Sequence, residues 1–357
     1  MFIVTFHGGS GGTNCLYSYT DSGSGCTPYL TAATPAGTNG FRDVQFLPQN
    51  TDGQFFLVNS YKDASEIFQI ESNATTMPAP FVNGEGGKGT VLCSVYHPFA
   101  LAFDGEMEVC YISNQDTNVV VRVNGPQAAN PGQPMAINPS LEKLFTNPTF
   151  LPGTFVASQV PLAPPGCPTP TAVTSEQGGL AASPSGLSVH KTPSNSVRGL
   201  AVIDTTLYVA DEVNNFVRLY DTGTGEYLGN IADSQKLIVS PTHLLSYDGL
   251  LYISVKSSTS AALVLCYNPS TPSLSVQVSN SKDLNIQHPS GMTFDGTGNF
   301  YLADLTGQVV YQFDPKFNLG ANQPFIPQGG GKMPDQPEFI LWVNDDWLGS
   351  GTKSDIT

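Results

Sequence analysis

The chain has 357 residues and a net charge of −15, although only 12% of its residues are charged. Gly (36) and Pro (28) are abundant, which is typical of a β protein, because each short strand ends in a turn that needs such residues. The negative charge repels nucleic acid and anionic membrane surfaces, so neither is expected as a partner. No apolar run approaches the roughly 18 residues of a membrane span, so no transmembrane segment is predicted.

The predicted strands recur in groups of three along the chain. Residues 1–6 lack the basic region of a signal peptide and are predicted to form a strand. Innermost strands are predicted at 42–47, 99–103, 198–202, 243–247, 290–294 and 338–342. Second strands are predicted at 2–6, 54–59, 109–114, 207–211, 250–255 and 299–304. Third strands are predicted at 15–20, 66–71, 118–123, 215–220, 262–267 and 308–313.

The groups are internal repeats. His97-Pro-Phe-Ala-Leu-Ala-Phe-Asp-Gly105 corresponds to His288-Pro-Ser-Gly-Met-Thr-Phe-Asp-Gly296. A period of about 40 to 50 residues with strand-type composition indicates a β-propeller. The fold class predicted is therefore all-β, a six-bladed β-propeller in one domain over residues 1–357. Pairing of the N-terminal strands with the C-terminal innermost strand would close the ring and remove two sheet edges.

One region departs from the repeat. Residues 125–195 are rich in Pro, Ser and Thr and contain no clear innermost strand. We interpret them as a long insertion between the third and fourth blades, and a degenerate seventh blade is the alternative. Two other segments, Pro80-Phe-Val-Asn-Gly-Glu-Gly-Gly-Lys88 and Pro324-Phe-Ile-Pro-Gln-Gly-Gly-Gly-Lys332, resemble each other. Both are predicted to lie between an outer strand and the next innermost strand.

The repeat resembles that of the NHL family of propellers. The resemblance is carried by Val197-Arg-Gly-Leu-Ala-Val202, Leu207-Tyr-Val-Ala-Asp211 and Phe216-Val-Arg-Leu-Tyr-Asp221, with their counterparts in the other blades. It implies the propeller fold but little about function, because NHL-like propellers include lyases, lactonases, receptor modules and scaffolds. Peptidyl-hydroxyglycine amidating lyases and gluconolactonase-like proteins share that fold.

The cysteines bear on localisation. The chain has six of them, widely spaced and without a Cys-X-X-Cys pair, which suits disulfides in an oxidising compartment. Cys15 with Cys26 and Cys93 with Cys110 are the expected pairs, and buried free thiols are the alternative. An extracellular or otherwise extracytoplasmic location is therefore predicted.

A ligand site is predicted at one mouth of the central channel, where the innermost strands begin. Aligning the blades places one set of residues at a single equivalent position: Arg42, Phe99, Arg198, His243, Ser290 and Glu338. His97 and His288 precede this position in the third and sixth blades, on opposite sides of the channel. The ends of the second strands contribute Asn114, Asp211 and Asp304.

Three interpretations of this mouth remain open. Zinc is one, because the resemblance to amidating lyases implies a histidine site, here His97, His243 and His288. Calcium is the second, because the resemblance to gluconolactonases implies oxygen ligands, here Glu338, Asn114, Asp211 and Asp304. Binding without catalysis is the third. In it, Arg42 and Arg198 clamp a carboxylate or a sugar acid by bidentate hydrogen bonds.

We favour the third interpretation as the sequence-based prediction. The chain is then a non-catalytic binding or structural module, which presents its channel mouth and its insertion to a protein or glycan partner. Its low-charge surface also suits packing against other subunits of an assembly. A metal-assisted lyase, lactonase or hydrolase at the channel mouth is the alternative, with zinc or calcium as the cofactor.

Overall fold

A computed structural model of the chain describes residues 1–6, 16–29, 41–47, 53–61, 64–72, 74, 78–83, 98–115, 119–132, 197–223, 227–256, 262–329 and 336–344. Within these ranges the ordered elements are strands, in six antiparallel sheets. No helix in the described part of the chain is long and apolar enough to cross a membrane. Residues 133–196, which hold most of the predicted insertion, lie outside the described ranges.

The strands are, in chain order, β1 Phe2–Phe6, β2 Tyr17–Tyr19, β3 Thr27–Pro28, β4 Phe41–Leu47, β5 Gln54–Tyr61, β6 Ala64–Glu71, β7 Pro80–Asn83, β8 Pro98–Phe103, β9 Val109–Asn114, β10 Val119–Asn124, β11 Val197–Ile203, β12 Thr206–Asp211, β13 Phe216–Asp221, β14 Tyr227–Asn230, β15 Pro241–Tyr247, β16 Leu250–Val255, β17 Ala262–Asn268, β18 Ser273–Ser279, β19 Pro289–Phe294, β20 Phe300–Asp304, β21 Val309–Phe313 and β22 Pro337–Trp342. The innermost, second and third strands match the predicted positions to within a few residues.

The six sheets are the blades of a ring. We number them 1 (β22 with β1–β3), 2 (β4–β7), 3 (β8–β10), 4 (β11–β14), 5 (β15–β18) and 6 (β19–β21). Each innermost strand contacts the innermost strands of both neighbouring blades. The structure is therefore the six-bladed β-propeller that the repeats predict.

The two ends of the described chain close this ring. β1 pairs antiparallel with β22, and the partners include Ile3 with Leu341 and Val4 with Ile340. Ile3 and Val4 are fully buried, because both faces of the closing sheet are covered by neighbouring blades. The predicted closure is confirmed, and it satisfies strand edges that would otherwise be unpaired.

The hydrophobic core is divided into six clusters, one between each pair of adjacent blades. Five second strands carry an aromatic residue at the same register position. These residues are Phe56, Tyr111, Tyr208, Tyr252 and Tyr301. Because blades meet face to face, each aromatic ring fills the space between its own blade and the adjacent one. Both faces of each sheet are therefore covered, which explains why the runs of β-branched and aromatic residues do not alternate with polar residues.

The first parts of the two Pro-Phe segments lie in edge elements rather than in connections, whereas residues 84–88 and 330–332 lie outside the described residues. β7 begins at Pro80 and is itself the outer strand of blade 2, paired with β6. Ile326, in the second segment, forms a bridge with Val310 at the outer edge of blade 6. A proline has no N–H to donate to a ladder, so such segments are tolerated at a sheet edge.

Every innermost strand carries a β-bulge near its start, where its pairing with the second strand shifts. The unpaired residues are the second and third in five of these strands, whereas in β22 only Glu338 is unpaired and Phe339 pairs with Thr5. Two glycines at the third position let adjacent strands approach closely. A Cβ on Gly199 would lie 2.7 Å from the backbone N of Leu244. A Cβ on Gly291 would lie 2.5 Å from the backbone N of Ile340. The ring is therefore packed backbone to backbone at these two positions.

A glycine substitution tests that packing. Gly291→Ala should lower the free energy of unfolding by about 1–3 kcal/mol, because the neighbours of the added methyl group are backbone atoms that cannot rotate away. Gly105→Ala is the matched control, since nothing lies within 4 Å of its Cβ, and its effect should stay within about 0.5 kcal/mol. Urea denaturation followed by tryptophan fluorescence measures both. Equal stability of the two variants would show that the strands do not approach as described.

Candidate functional site

The cavity at the start of the innermost strands has a volume of about 310 Å³. Residues from all six blades line it: Arg42, Phe99, Gln115, Arg198, Glu212, Thr242, His243, His288, Ser290, Leu305, Gln336, Glu338 and Phe339. All five predicted ligand-binding residues, Arg42, Phe99, Arg198, Ser290 and Glu338, are therefore brought together. Two of the three predicted histidines, His243 and His288, are there as well, whereas His97 lies outside the described residues.

The bulges explain why these residues converge. A bulge opposes two residues of one strand to one residue of its partner, and so redirects the side chains at that point. In blade 4 the two residues are Arg198 and Gly199, between the pairs Val197–Asp211 and Leu200–Val209. The same shift recurs in every blade, so the second residue of each innermost strand faces the channel.

The register corrects one alignment. Pro241 pairs with Val255, and Leu244 pairs with Ile253, so the bulged residues of blade 5 are Thr242 and His243. Thr242 is therefore the equivalent of Arg198, and His243 lies one residue further along. The bulge could not be placed from a strand-by-strand reading, because the added residue shifts the alternation of side chains by one.

The third position of the bulge joins neighbouring blades. Asp43 accepts a hydrogen bond from the backbone N–H of Leu101 at 2.8 Å, and His243 Nδ1 accepts one from the N–H of Met292 at 3.1 Å. Each acceptor thus satisfies a backbone donor in the next innermost strand, where the bulge interrupts the ladder. In blades 4 and 6 the equivalent residue is glycine, and the two backbones meet directly.

Two ion pairs occupy one half of the cavity. Arg42 bonds Glu338 at 2.6 Å, and Arg198 bonds Glu212 at 2.6 Å. Phe99 lies between the arginines, whose guanidinium carbons are 5.4 and 5.0 Å from the ring centroid. Both predicted clamp residues therefore already hold a carboxylate, and Phe99 serves as their platform through cation–π contact.

The other half of the cavity is uncharged at neutral pH along blade 5. Burial lowers the pKa of His243 to about 3, because an imidazolium without a carboxylate partner loses its hydration. Its ring edge meets Phe339, with centroids 4.8 Å apart. Ser290 donates to the carbonyl oxygen of Pro337 at 2.9 Å, so its hydroxyl ties blade 6 to blade 1 as well as lining the cavity.

Sequence reasoning missed Gln115 and Glu212. Each directly follows a predicted residue, Asn114 or Asp211, at the end of a second strand. Gln115 is 2% exposed and accepts a hydrogen bond from Arg198 through Oε1. Its Nε2 has no hydrogen-bond partner among the described residues. An alignment of the second strands that was moved by one residue would have found both, because Asn114 and Asp211 do not line the cavity.

The predicted oxygen ligands hold local structure. Asp211 is buried and pairs with Arg218 at 2.7 Å, which braces the hairpin between β12 and β13. Asp304 accepts the backbone N–H groups of Gln287 and His288 at 3.2 and 3.1 Å, so it positions the loop that carries His288. Asn114 is buried in blade 3. These three residues do not line the cavity, whereas Glu338 does.

The metal predictions remain predictions. Among the described residues, no three or more His, Cys, Asp or Glu side chains are grouped to hold a metal ion. The contact made by His243 also argues against it as a ligand. Because Nδ1 accepts the Met292 N–H, the neutral ring carries its proton on Nε2, and neither nitrogen presents a lone pair to the cavity.

The thiols bear on the predicted disulfides. Cys26, Cys110 and Cys266 are free in the structure, and the other three cysteines lie outside the described ranges. Burial raises the pKa of the Cys110 thiol, which makes it unreactive. No disulfide is therefore shown among the described residues.

Comparisons with known proteins agree on the fold and add no family. No protein-family model matches the chain, and no curated protein matches it. A chain in the crystal structure of a nidogen/laminin complex is similar in structure, with a TM-score of 0.52. The two are 10% identical, and the similarity covers 95% of this chain and 97% of that one. The chain is a six-bladed β-propeller. At this identity the likeness shows the fold alone, and the NHL resemblance stays a prediction from the sequence.

Asp43 gives the site a first pH-dependent property. Burial raises its pKa to about 7, far above that of an exposed carboxyl, so unfolding releases a proton between roughly pH 4 and pH 7. The stability it contributes is present at low pH and is lost as the pH rises through 7. Asp43→Asn, which keeps an oxygen for Leu101, should therefore reduce the loss of stability between pH 4 and 7. Chemical denaturation across that range measures it, and an unchanged profile would contradict the burial of this carboxylate.

His243 gives the opposite dependence. Its pKa is about 3 in the folded chain and higher when unfolded, so its contribution is present above about pH 6.5 and is lost as the pH falls. His243→Asn keeps an acceptor near the Met292 N–H and cannot titrate. It should decline less in stability than the parent chain between pH 6.5 and 3. If NMR showed His243 titrating near pH 6.5 in the folded chain, its buried neutral state would be wrong.

Proposed function

We propose that the chain is a non-catalytic binding module that takes a protein or glycan partner at its channel mouth. The cavity carries this proposal, since side chains from six separate blades meet there around a volume of about 310 Å³. That volume is at the lower end of the range for small-molecule sites, so it suits one ring or one inserted side chain.

The unused amide donor of Gln115 supports a ligand in particular. A buried polar atom without a partner costs free energy, and in native proteins such atoms call for an explanation. Gln115 is one of the residues that line the cavity, and its amide oxygen accepts from the guanidinium of Arg198. An acceptor group on a bound partner would satisfy it, and this is the simplest function for an otherwise unfavourable arrangement.

Several contacts favour binding over catalysis. Both arginines are held in ion pairs, Ser290 donates to backbone carbonyls, and the proton on His243 Nε2 follows from its contact with Met292. A general base needs a lone pair directed at a substrate, and a nucleophilic hydroxyl needs a base that takes its proton. His243 instead uses its Nδ1 lone pair on the Met292 N–H, and Ser290 gives its proton to backbone carbonyl oxygens. The solved nidogen/laminin neighbour is itself part of a protein complex, which is compatible with a binding role.

A metal-assisted lyase or hydrolase is the second candidate, because His243 and His288 line the same cavity. Elemental analysis separates the two. Stoichiometric zinc or calcium, lost in His288→Ala, would favour the enzyme.

The extracytoplasmic location, a role in assemblies and a partner site on the 125–195 insertion are further parts of the proposal that follow from the sequence alone.

A cavity-filling variant tests the binding site. Leu305 lines the cavity and is mostly buried, and Leu228 lies on the outer strand of blade 4 with 52% exposure. Glycan and peptide arrays probed with the parent chain should yield a ligand that Leu305→Trp weakens at least about tenfold, since it fills the site. Leu228→Trp should bind as the parent does. Ligands that tolerate both substitutions equally would place the binding surface elsewhere.

A further inference from the structure

The arginines and glutamates that line the cavity balance in formal charge. Its two arginines face two glutamates in pairs at 2.6 Å, and His243 is neutral because burial lowers its pKa to about 3. Among the arginines and glutamates that the structure describes here, a ligand with a net charge would lose its hydration without meeting an unpaired opposite charge. A ligand of either charge would also have to compete with an existing ion pair. The balanced charges therefore favour a neutral ligand.

A buried donor and a partly exposed acceptor lie on either side of the Arg198 guanidinium. Arg198 donates to Gln115 Oε1, and its contacts with Glu212 both end on Oε2. Nε2 of Gln115 is left as a donor without a partner among the described residues. Oε1 of Glu212 keeps its capacity to accept, and the Glu212 side chain is 22% exposed.

That arrangement matches a vicinal diol. In a pair of adjacent hydroxyl groups, one oxygen can accept from an amide while its neighbour donates to a carboxylate. A carboxylate ligand cannot do this, because it has no proton to donate and would face Glu212 with a like charge. The small volume of the cavity limits the ligand to about one ring.

Resting on the proposed binding function, we infer that the channel mouth binds a neutral sugar ring. One hydroxyl accepts from Gln115 Nε2, and an adjacent hydroxyl donates to Glu212. Arg198 holds both side chains in place and stays paired. The deeper pair, Arg42 with Glu338, remains intact, with side chains 11% and 7% exposed. The predicted sugar-acid clamp by Arg42 and Arg198 is the competing arrangement.

The experiment compares neutral sugars with acids that differ at one carbon. The probes are methyl β-D-glucoside with methyl β-D-glucuronide, and methyl β-D-galactoside with its galacturonide, titrated by calorimetry and saturation-transfer NMR. At least one neutral glycoside should bind, and the affinity of the corresponding acid should be at least about tenfold weaker. The reason is that the acid loses its hydration without gaining an unpaired positive charge among the described arginines. Tighter binding of the acid in both pairs, or no binding of either neutral glycoside, would overturn the inference.

Three variants locate the contact. Gln115→Glu keeps an acceptor for Arg198 but removes the donor, so it should weaken the neutral glycoside about tenfold or more. Gln127→Glu, at an exposed glutamine outside the cavity, adds the same charge and should bind like the parent. Glu212→Gln removes a negative charge and should shift preference toward the acid. An unchanged affinity in Gln115→Glu would overturn the inference.

The same measurements separate this inference from the proposed function. If an array ligand is blocked by Leu305→Trp while neither neutral glycoside binds, the channel mouth is a binding site and the neutral-sugar inference is wrong. If no array ligand responds to Leu305→Trp, the binding site itself is wrong, and the inference fails with it.

Discussion

The pairing of β1 with β22 is the interaction on which the rest of this structure depends. These strands lie at opposite ends of the described chain, and their backbone hydrogen bonds complete the first blade. Without that sheet, five blades would form an open arc with unpaired edges and uncovered apolar faces. Closure brings Glu338 in the last strand against Arg42 in the second blade. The cavity therefore exists only because the ends of the described chain meet.

Within the closed ring, the repeated bulge directs the side chains that line the cavity toward the channel. A regular ladder would point alternate residues into the faces between blades, where the six apolar clusters lie. The added residue at the start of each innermost strand turns one side chain toward the axis and leaves a backbone N–H to be satisfied. Asp43 and His243 satisfy it across blades in two places. Stability of the ring and shape of the cavity thus have one origin.

Electrostatics then narrow what the cavity can accept. Arg42 and Arg198 could have formed an anion clamp, but each of them forms an ion pair with a glutamate in the cavity. Paired charges of this kind hold side chains in a defined geometry while contributing little net field. Beside Arg198, hydrogen-bonding capacity remains at Nε2 of Gln115 and at Oε1 of Glu212. This is the basis for binding a neutral, hydroxyl-bearing group rather than an acid.

The sequence by itself determined the six-bladed fold, the strand positions and the residues that begin each innermost strand, because internal repeats and strand composition are local properties. Tertiary structure decided the rest. A bulge changes the register by one residue, so Thr242 rather than His243 is the equivalent of Arg198, and Gln115 rather than Asn114 faces the cavity. The partners of Arg42 and Arg198 also could not be foreseen, since a pairing between blades depends on distances in space that no spacing along the chain records.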